Sequence, residues 1–162
     1  MLRANTVVVF MSDHGYQLGE RGHWSKHGSL YNQTGRVPLI IDAPGTLGRG
    51  RASSRIVELV DLYPTLVQLA GLPPVAGLKG LSLVPLLNKP GAARNRPAYA
   101  QCSNGKTIRT VQWRYTEWSG GRAGVELYDH INDPLELTNL AKDAGHAVVV
   151  AQMRTRLHNG PF

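Results

Sequence analysis

The sequence predicts an α/β protein: a core with a mostly parallel sheet and helices, then a small α+β part with an antiparallel sheet. Three observations carry that prediction. Before residue 96, three short parallel-strand candidates at Val7–Phe10, Val37–Ile41 and Ile56–Val60 alternate with loop and helix segments. Beyond it the pattern changes to hairpin-like strands separated by Asn-Gly and Gly-Gly signals, and the chain closes on a helical period.

Val7, Val8, Val9 and Phe10 form a run that suits a strand covered on both faces, and so a central parallel strand. In open α/β sheets the ligand crevice lies beyond the carboxyl ends of such strands. Ser12, Asp13, His14 and Gly15 stand there, and Gly15 allows the turn that lets Asp13 and His14 face a common space. That is a place for a metal or an anion; the alternative makes Asp13 a turn former and His14 an ordinary loop residue. Asp61 is placed to cap a helix over Leu62–Ala70, with Pro64 in its first turn and Gly71 just past its end. Leu62, Leu66 and Leu69 give that helix a core-facing stripe. Pro73, Pro74, Pro85, Pro90 and Pro97 break up the connection that follows, which divides the chain into residues 1–96 and 97–162.

In the second part "RPAYAQC", "KTIRTVQWRYTEWS" and "GVELYDH" read as antiparallel strands joined at "SNGK" and "SGGRAG". "DPLELTNLA" predicts an Asx-type turn and a short helical piece, and Ala144–Leu157 predicts a final amphipathic helix.

Several short motifs occur together and in order. "SDHG" is followed by "LGERGHWSK", by "RVPLIIDAPG", by "VELVDLYPTLVQLAGLP", by "LKGLSLVPLL" and by "ELYDHINDPLELTNLA". This series resembles the sulfatases of the alkaline-phosphatase-like superfamily, most closely the iduronate-2-sulfatase-like branch, over nearly the whole chain. The resemblance implies the C-terminal part of such an enzyme: a piece of the alkaline-phosphatase-like core sheet plus the small C-terminal subdomain. It also implies hydrolysis of a sulfate ester, with a sulfated sugar or small molecule as substrate. The family nucleophile is a formylglycine made within a "CxPSR"-like motif, expected to precede these residues. Cys102, the one cysteine, stands in "AQCSNG" and reads as a small side chain on a strand. The 162-residue chain by itself is therefore expected to be inactive.

The resemblance also assigns roles. It implies one calcium ion held by Asp13 and His14; Asp13 suits a hard cation, and His14 is a less usual ligand that could also face substrate. Lys26 is the implied catalytic and substrate-binding cation, a point charge on a sulfate oxygen or on the bridging oxygen as the S–O bond breaks. His23 and His27 flank it at helical spacing, but Gly22 and Gly28 bracket them in a loop and neither corresponds to a family catalytic residue. The family's "YEEATRVPLI" is here "YNQTGRVPLI", which leaves Arg36 without nearby acidic partners.

Charge and hydropathy exclude other classes. The net charge is +7, and no acidic residue lies between Asp61 and Glu117, where Lys79, Lys89, Arg94, Arg96, Lys106, Arg109 and Arg114 occur. Such a field suits a polyanion. No zinc-finger or RNP signature accompanies it, so nucleic acid is not the expected partner. No stretch reaches the roughly 20 apolar residues of a membrane span. The compartment stays open, and the resemblance is compatible with export, periplasmic or secreted, through a signal preceding these residues. Two other readings are a phosphomonoester or phosphodiester hydrolase of the same superfamily, with zinc at the "DHG" pair, and a non-catalytic polyanion-binding module.

Overall fold

A computed structural model describes residues 2–162. Contacts divide them into two units: the residues up to Asp13 with Pro38–Arg96, and His14–Val37 with Pro97–Phe162. The linear division at Arg96 assigns residues 14–37 to the first part; they pack instead with the second.

In the first unit β1 (Val8–Met11) pairs with β2 (Leu39–Asp42) from Val8 opposite Asp42 to Met11 opposite Leu39. The pairing is antiparallel, which corrects the parallel reading of these two runs. An apolar run reports burial and says nothing about the direction of its neighbour, and here even the burial differs. Val8, Phe10 and Ile40 are more than half exposed. The third expected strand, Ile56–Val60, is not a strand. Leu59–Asp61 forms a 3₁₀ turn that runs into helix α2 (Leu62–Leu69), because Glu58 and Asp61 bond each other's backbone in a capping box.

Asp61 does not cap α2 with its side chain. It is fully buried, and its carboxylate accepts from Glu58 N and Leu81 N at 2.8 Å and from Arg94 Nη2 at 2.6 Å. Arg94 also donates through Nε to Ile56 O at 3.1 Å. One carboxylate thus gathers three stretches of chain, and the buried charge is matched on every side. Thr65 is the buried residue of α2, and its hydroxyl accepts from Leu83 N at 2.8 Å, setting the start of α3 (Val84–Asn88). The leucine stripe expected to form a core is not fully covered, since Leu66 is exposed.

The second unit is built on an antiparallel sheet in the order β3 (Ala98–Cys102), β4 (Gly105–Arg109), β5 (Trp113–Trp118), β6 (Gly124–Asp129). The stretch 106–119 read as strand is two strands, folded at Thr110–Gln112, where Thr110 N donates to Trp113 O at 2.8 Å. On one face Ile108, Tyr115 and Leu127 pack with Met153 and Leu157 of helix α4 (Ala147–His158). The alternate residues of β5 look the other way, with Arg114 and Thr116 buried and Trp118 half-buried: Arg114 donates to Leu30 O at 2.7 Å, and Trp118 lies against Gly105 with Leu30 beside it. The segment 14–37, with its single helical turn α1 (Asn32–Gly35), therefore covers the second face of this sheet. The helical piece expected in "DPLELTNLA" is a turn. Asp133 Oδ2 accepts from Thr138 N at 2.8 Å, and Glu136 takes a left-handed φ of 57°, which no helix continues through.

Candidate active site

The segment from His14 to Gly28 is shaped by short backbone ties. Gly15 N donates to Thr34 O at 2.9 Å, fixing the start of the segment on α1. A side chain at Gly15 would put Cβ 1.9 Å from Gln33 O, so only glycine permits this approach. The chain then runs out and returns as two arms, with Gln17 N on Ser25 O at 3.3 Å and Gly19 N on His23 O at 2.8 Å. Tyr16 Oη adds a bond to Trp24 O at 2.8 Å. At Gly19 the backbone has φ 112° and the Trp24 indole lies on it, closing the tip.

The return of the second arm brings Lys26 to His14, with Nζ 2.5 Å from Nε2. His14 Nδ1 is 2.8 Å from Gly15 O, a carbonyl that can only accept. Nδ1 therefore carries the ring proton, and Nε2 presents its lone pair to the ammonium of Lys26. That ammonium has three donors, and His14 takes one. The remaining two can meet the oxygens of an anion while the ring holds the lysine in place.

Asp13 is exposed and is the last residue of its segment in the first unit, while His14 opens the second. His14 has a single Nε2 lone pair, so it can serve a metal or Lys26 at any moment, not both. Among the described residues no group of three or more His, Cys, Asp or Glu could hold a metal ion. A hard cation takes six or more oxygen donors; the Asp13 carboxylate is a donor of that type and the His14 ring nitrogen is not. His23 and His27 are exposed in loop backbone and do not join the His14–Lys26 pair; His27 N bonds Ser25 Oγ at 3.0 Å. Cys102 lies half-buried on β3.

A buried charge cluster with no signature in the sequence supports this segment. Glu136 is buried, and its Oε1 accepts from Arg114 Nε and from His130 Nε2 at 2.7 Å. Its Oε2 accepts from Asn32 N at 2.7 Å, which anchors α1. Burial works to raise the Glu136 pKa, but the His130 hydrogen bond, the Arg114 charge and Asn32 N–H together hold it below the ordinary glutamate value. Burial pushes the Arg109 guanidinium down to about 10, helped by the neighbouring charge of Arg114. Three of the seven cations of the basic stretch are paired inside the fold: Arg94 with Asp61, Arg96 with Glu58 and Arg114 with Glu136. A spacing signal for these internal pairs does not exist, because their partners are 22 to 38 residues away.

Comparison with known proteins agrees with this architecture. Residues 19–160 match the family described as N-sulphoglucosamine sulphohydrolase, C-terminal. A Delta 4,5-hexuronate-2-O-sulfatase of Bacteroides thetaiotaomicron is 32% identical over 164 residues, which cover 94% of this chain and 34% of that protein. A solved structure in complex with its substrate D-glucosamine-2-N,6-O-disulfate superposes with a TM-score of 0.87 at 30% identity, over 96% of this chain and 34% of its own. The phosphonate monoester hydrolase of Agrobacterium radiobacter superposes with a TM-score of 0.80 at 30% identity, over 96% of this chain and 35% of its own. The chain thus spans about a third of the length of the relatives it matches. Its fold is that of the alkaline-phosphatase-like sulfatases, and the chain belongs to the N-sulphoglucosamine sulphohydrolase C-terminal family.

Proposed function

We propose that this chain supplies the cationic and part of the metal-binding side of a sulfatase site that hydrolyses a sulfate ester on a sugar. The observation that carries the reading is Lys26 held at 2.5 Å by the neutral Nε2 of His14, a fixed ammonium with two donors left for an anion. In the reaction Lys26 binds a sulfate oxygen and meets the charge that grows on oxygen as the S–O bond breaks; His14 orients it. Asp13 is the oxygen ligand to one calcium ion, and His14 ligates it only when Nε2 is not engaged by Lys26. Bound there, the ion would neutralise charge on the sulfate group. The nucleophile is a formylglycine from outside these 162 residues, since Cys102 stands on β3 without the Pro-Ser-Arg context that its formation needs.

The family match and the two sulfated-sugar names among the relatives support a sugar substrate. The finer placement, near the iduronate-2-sulfatase-like branch, rests on the "SDHG", "LGERGHWSK" and "RVPLI" series. The phosphonate monoester hydrolase neighbour shares the fold, and the family match is what separates the two chemistries.

The test is Lys26→Ala in the full-length protein, assayed on a minimal sulfate ester. kcat/KM should fall by about 10² to 10³, the scale for one preorganised charge-stabilising group. Lys26→Arg should rescue poorly, because a planar fork does not replace a compact ammonium. Lys106→Ala, at an exposed position whose Nζ is 4.9 Å from the Phe162 ring, should leave the minimal ester unaffected. Equal, small effects of Lys26→Ala and Lys106→Ala would remove Lys26 from the site.

A further inference from the structure

We infer that Arg21 is a positioning residue that clamps the tip of the 17–25 loop and thereby holds Lys26 on His14. The inference rests on the reading of Lys26 above for its importance to turnover, but not for its geometry.

Arg21 sits at the far end of the two arms, where the loop turns back. Its backbone has φ 54° and ψ 26°, the left-handed region that a residue with a Cβ enters at a cost. Such a conformation persists when the surroundings over-determine it. Here they do. Arg21 Nη2 donates to two successive carbonyls, Leu135 O at 2.5 Å and Glu136 O at 2.8 Å. Its guanidinium carbon lies 3.8 Å from the centre of the Tyr31 ring. Nη1 reaches Gln33 Oε1 at 3.4 Å, on the same helical turn against which Gly15 is pressed.

Each anchor is itself fixed. Tyr31 meets Tyr128 edge to face at 5.8 Å and bonds Glu126 through its hydroxyl at 3.4 Å. Glu136 carries the buried contacts to Arg114, His130 and Asn32, and like Arg21 it has a positive φ. Two left-handed residues therefore meet, one turning the loop and the other turning the chain that receives it.

The two ends of the loop are held differently. The His14 end is tied by Gly15 N to Thr34 O. Lys26 itself lies between the returning arm, whose backbone bonds among the described residues lead to the outgoing arm of the same loop, and Ser29 and Leu30, which are buried and bonded to Thr34 and to Arg114. With its far side fixed at Ser29 and Leu30, the position of Lys26 relative to His14 is completed by where the tip is pinned, and Arg21 pins the tip to the turn at Leu135–Glu136 and to Tyr31. A lysine cannot reproduce this, because one ammonium cannot both lie flat on Tyr31 and span two carbonyls.

The experiment uses the full-length protein with ¹⁵N-labelled histidine, comparing wild type, Arg21→Gly and Arg21→Lys at one pH in chelator; His14→Gln assigns the signal. Arg21→Gly relieves the positive φ, so its unfolding midpoint should stay close to wild type. The His14 ring should nevertheless change from one Nδ1–H tautomer with a hydrogen-bonded Nε2 to a tautomer mixture. Turnover should show a kcat loss of about 10-fold or more with KM little changed, the signature of a group misplaced by a fraction of an ångström. Arg21→Lys should resemble Arg21→Gly. An unchanged His14 spectrum in both variants would overturn the clamp. If Arg21→Gly does not fold, Arg21→Lys decides by the same spectrum. The histidine readout stands whether or not the protein cleaves sulfate, so failure of the clamp and failure of the sulfatase reading give different results.

Discussion

Glu136→Gln is the sharpest test of how the second unit is held together. The substitution keeps the size and one carbonyl oxygen, but removes the charge and turns the other oxygen into a donor that faces a donor. At Glu136 the acceptors serve Arg114 Nε, His130 Nε2 and Asn32 N, and the side chains of Arg114 and Glu136 are 5% and 0% exposed. Removing one partner from a buried pair costs about 3–5 kcal/mol, because the remaining charge is left uncompensated. At about 2–4 °C per kcal/mol for a chain of this size, the unfolding midpoint should drop by roughly 6–20 °C. Thermal unfolding followed by near-ultraviolet circular dichroism at pH 7 reads it directly, since Trp113, Tyr115, Trp118 and Tyr128 lie on the affected strands. The pH dependence adds a second check. The Glu136 pKa is lower folded than unfolded, so its stabilisation is complete above the ordinary value of 4.5 and is lost as pH falls through the depressed folded value. The gap between wild type and Glu136→Gln should therefore narrow in acid. A drop under about 2 °C at pH 7, against the scale used above, or a gap that is the same in acid, would refute the argument.

Other substitutions probe the site residue by residue. In the full-length protein Asp13→Asn should weaken calcium binding and turnover together, as titration calorimetry and a sulfate-ester assay would record; unchanged calcium affinity would make Asp13 a turn residue only. Gly15→Ala should destabilise by about 1–3 kcal/mol, because its Cβ would overlap the Gln33 carbonyl, and a midpoint at the wild-type value would mean that the loop moves aside without cost.

Much of this was legible in the sequence, and the boundary of legibility has a physical meaning. Glycines and asparagine mark the hairpin turns at 102–105 and 118–124 in the sequence, and in the last helix Met153 and Leu157, four residues apart, mark the buried side. The turn at Thr110–Gln112 has no such residue and closes through a threonine hydroxyl and backbone, so the sequence looks like continuous strand there. Strand direction at β1 and β2 was misread because it is a property of pairing, not of composition. Lys26 and His14 were singled out as residues, and their contact follows from two glycines and two backbone bonds. Arg21, Arg114 and Glu136 stayed hidden. Each is an ordinary charged residue until the fold brings it to a partner, and for Arg21 that partner is 115 positions away.

The discontinuous make-up of the second unit has a consequence for its birth on the ribosome. Residues 14–37 emerge early, yet their partners come late: Leu30 waits for Arg114, 84 residues on, and Asn32 for Glu136, 104 residues on. At about 5–20 residues per second the nascent segment stays unsatisfied for roughly 5–20 s. Throughout that interval the carbonyl of Leu30 and the left-handed turn at Arg21 lack the later partners that hold them, Arg114 and the Leu135–Glu136 carbonyls. The first unit, whose strands and Asp61 node are complete once Arg96 has been made, can close before them. Vectorial synthesis therefore makes the lysine-bearing loop a part of the chain that is made early and ordered late, and chain arrest before Glu136 should leave it open to chaperones and proteases.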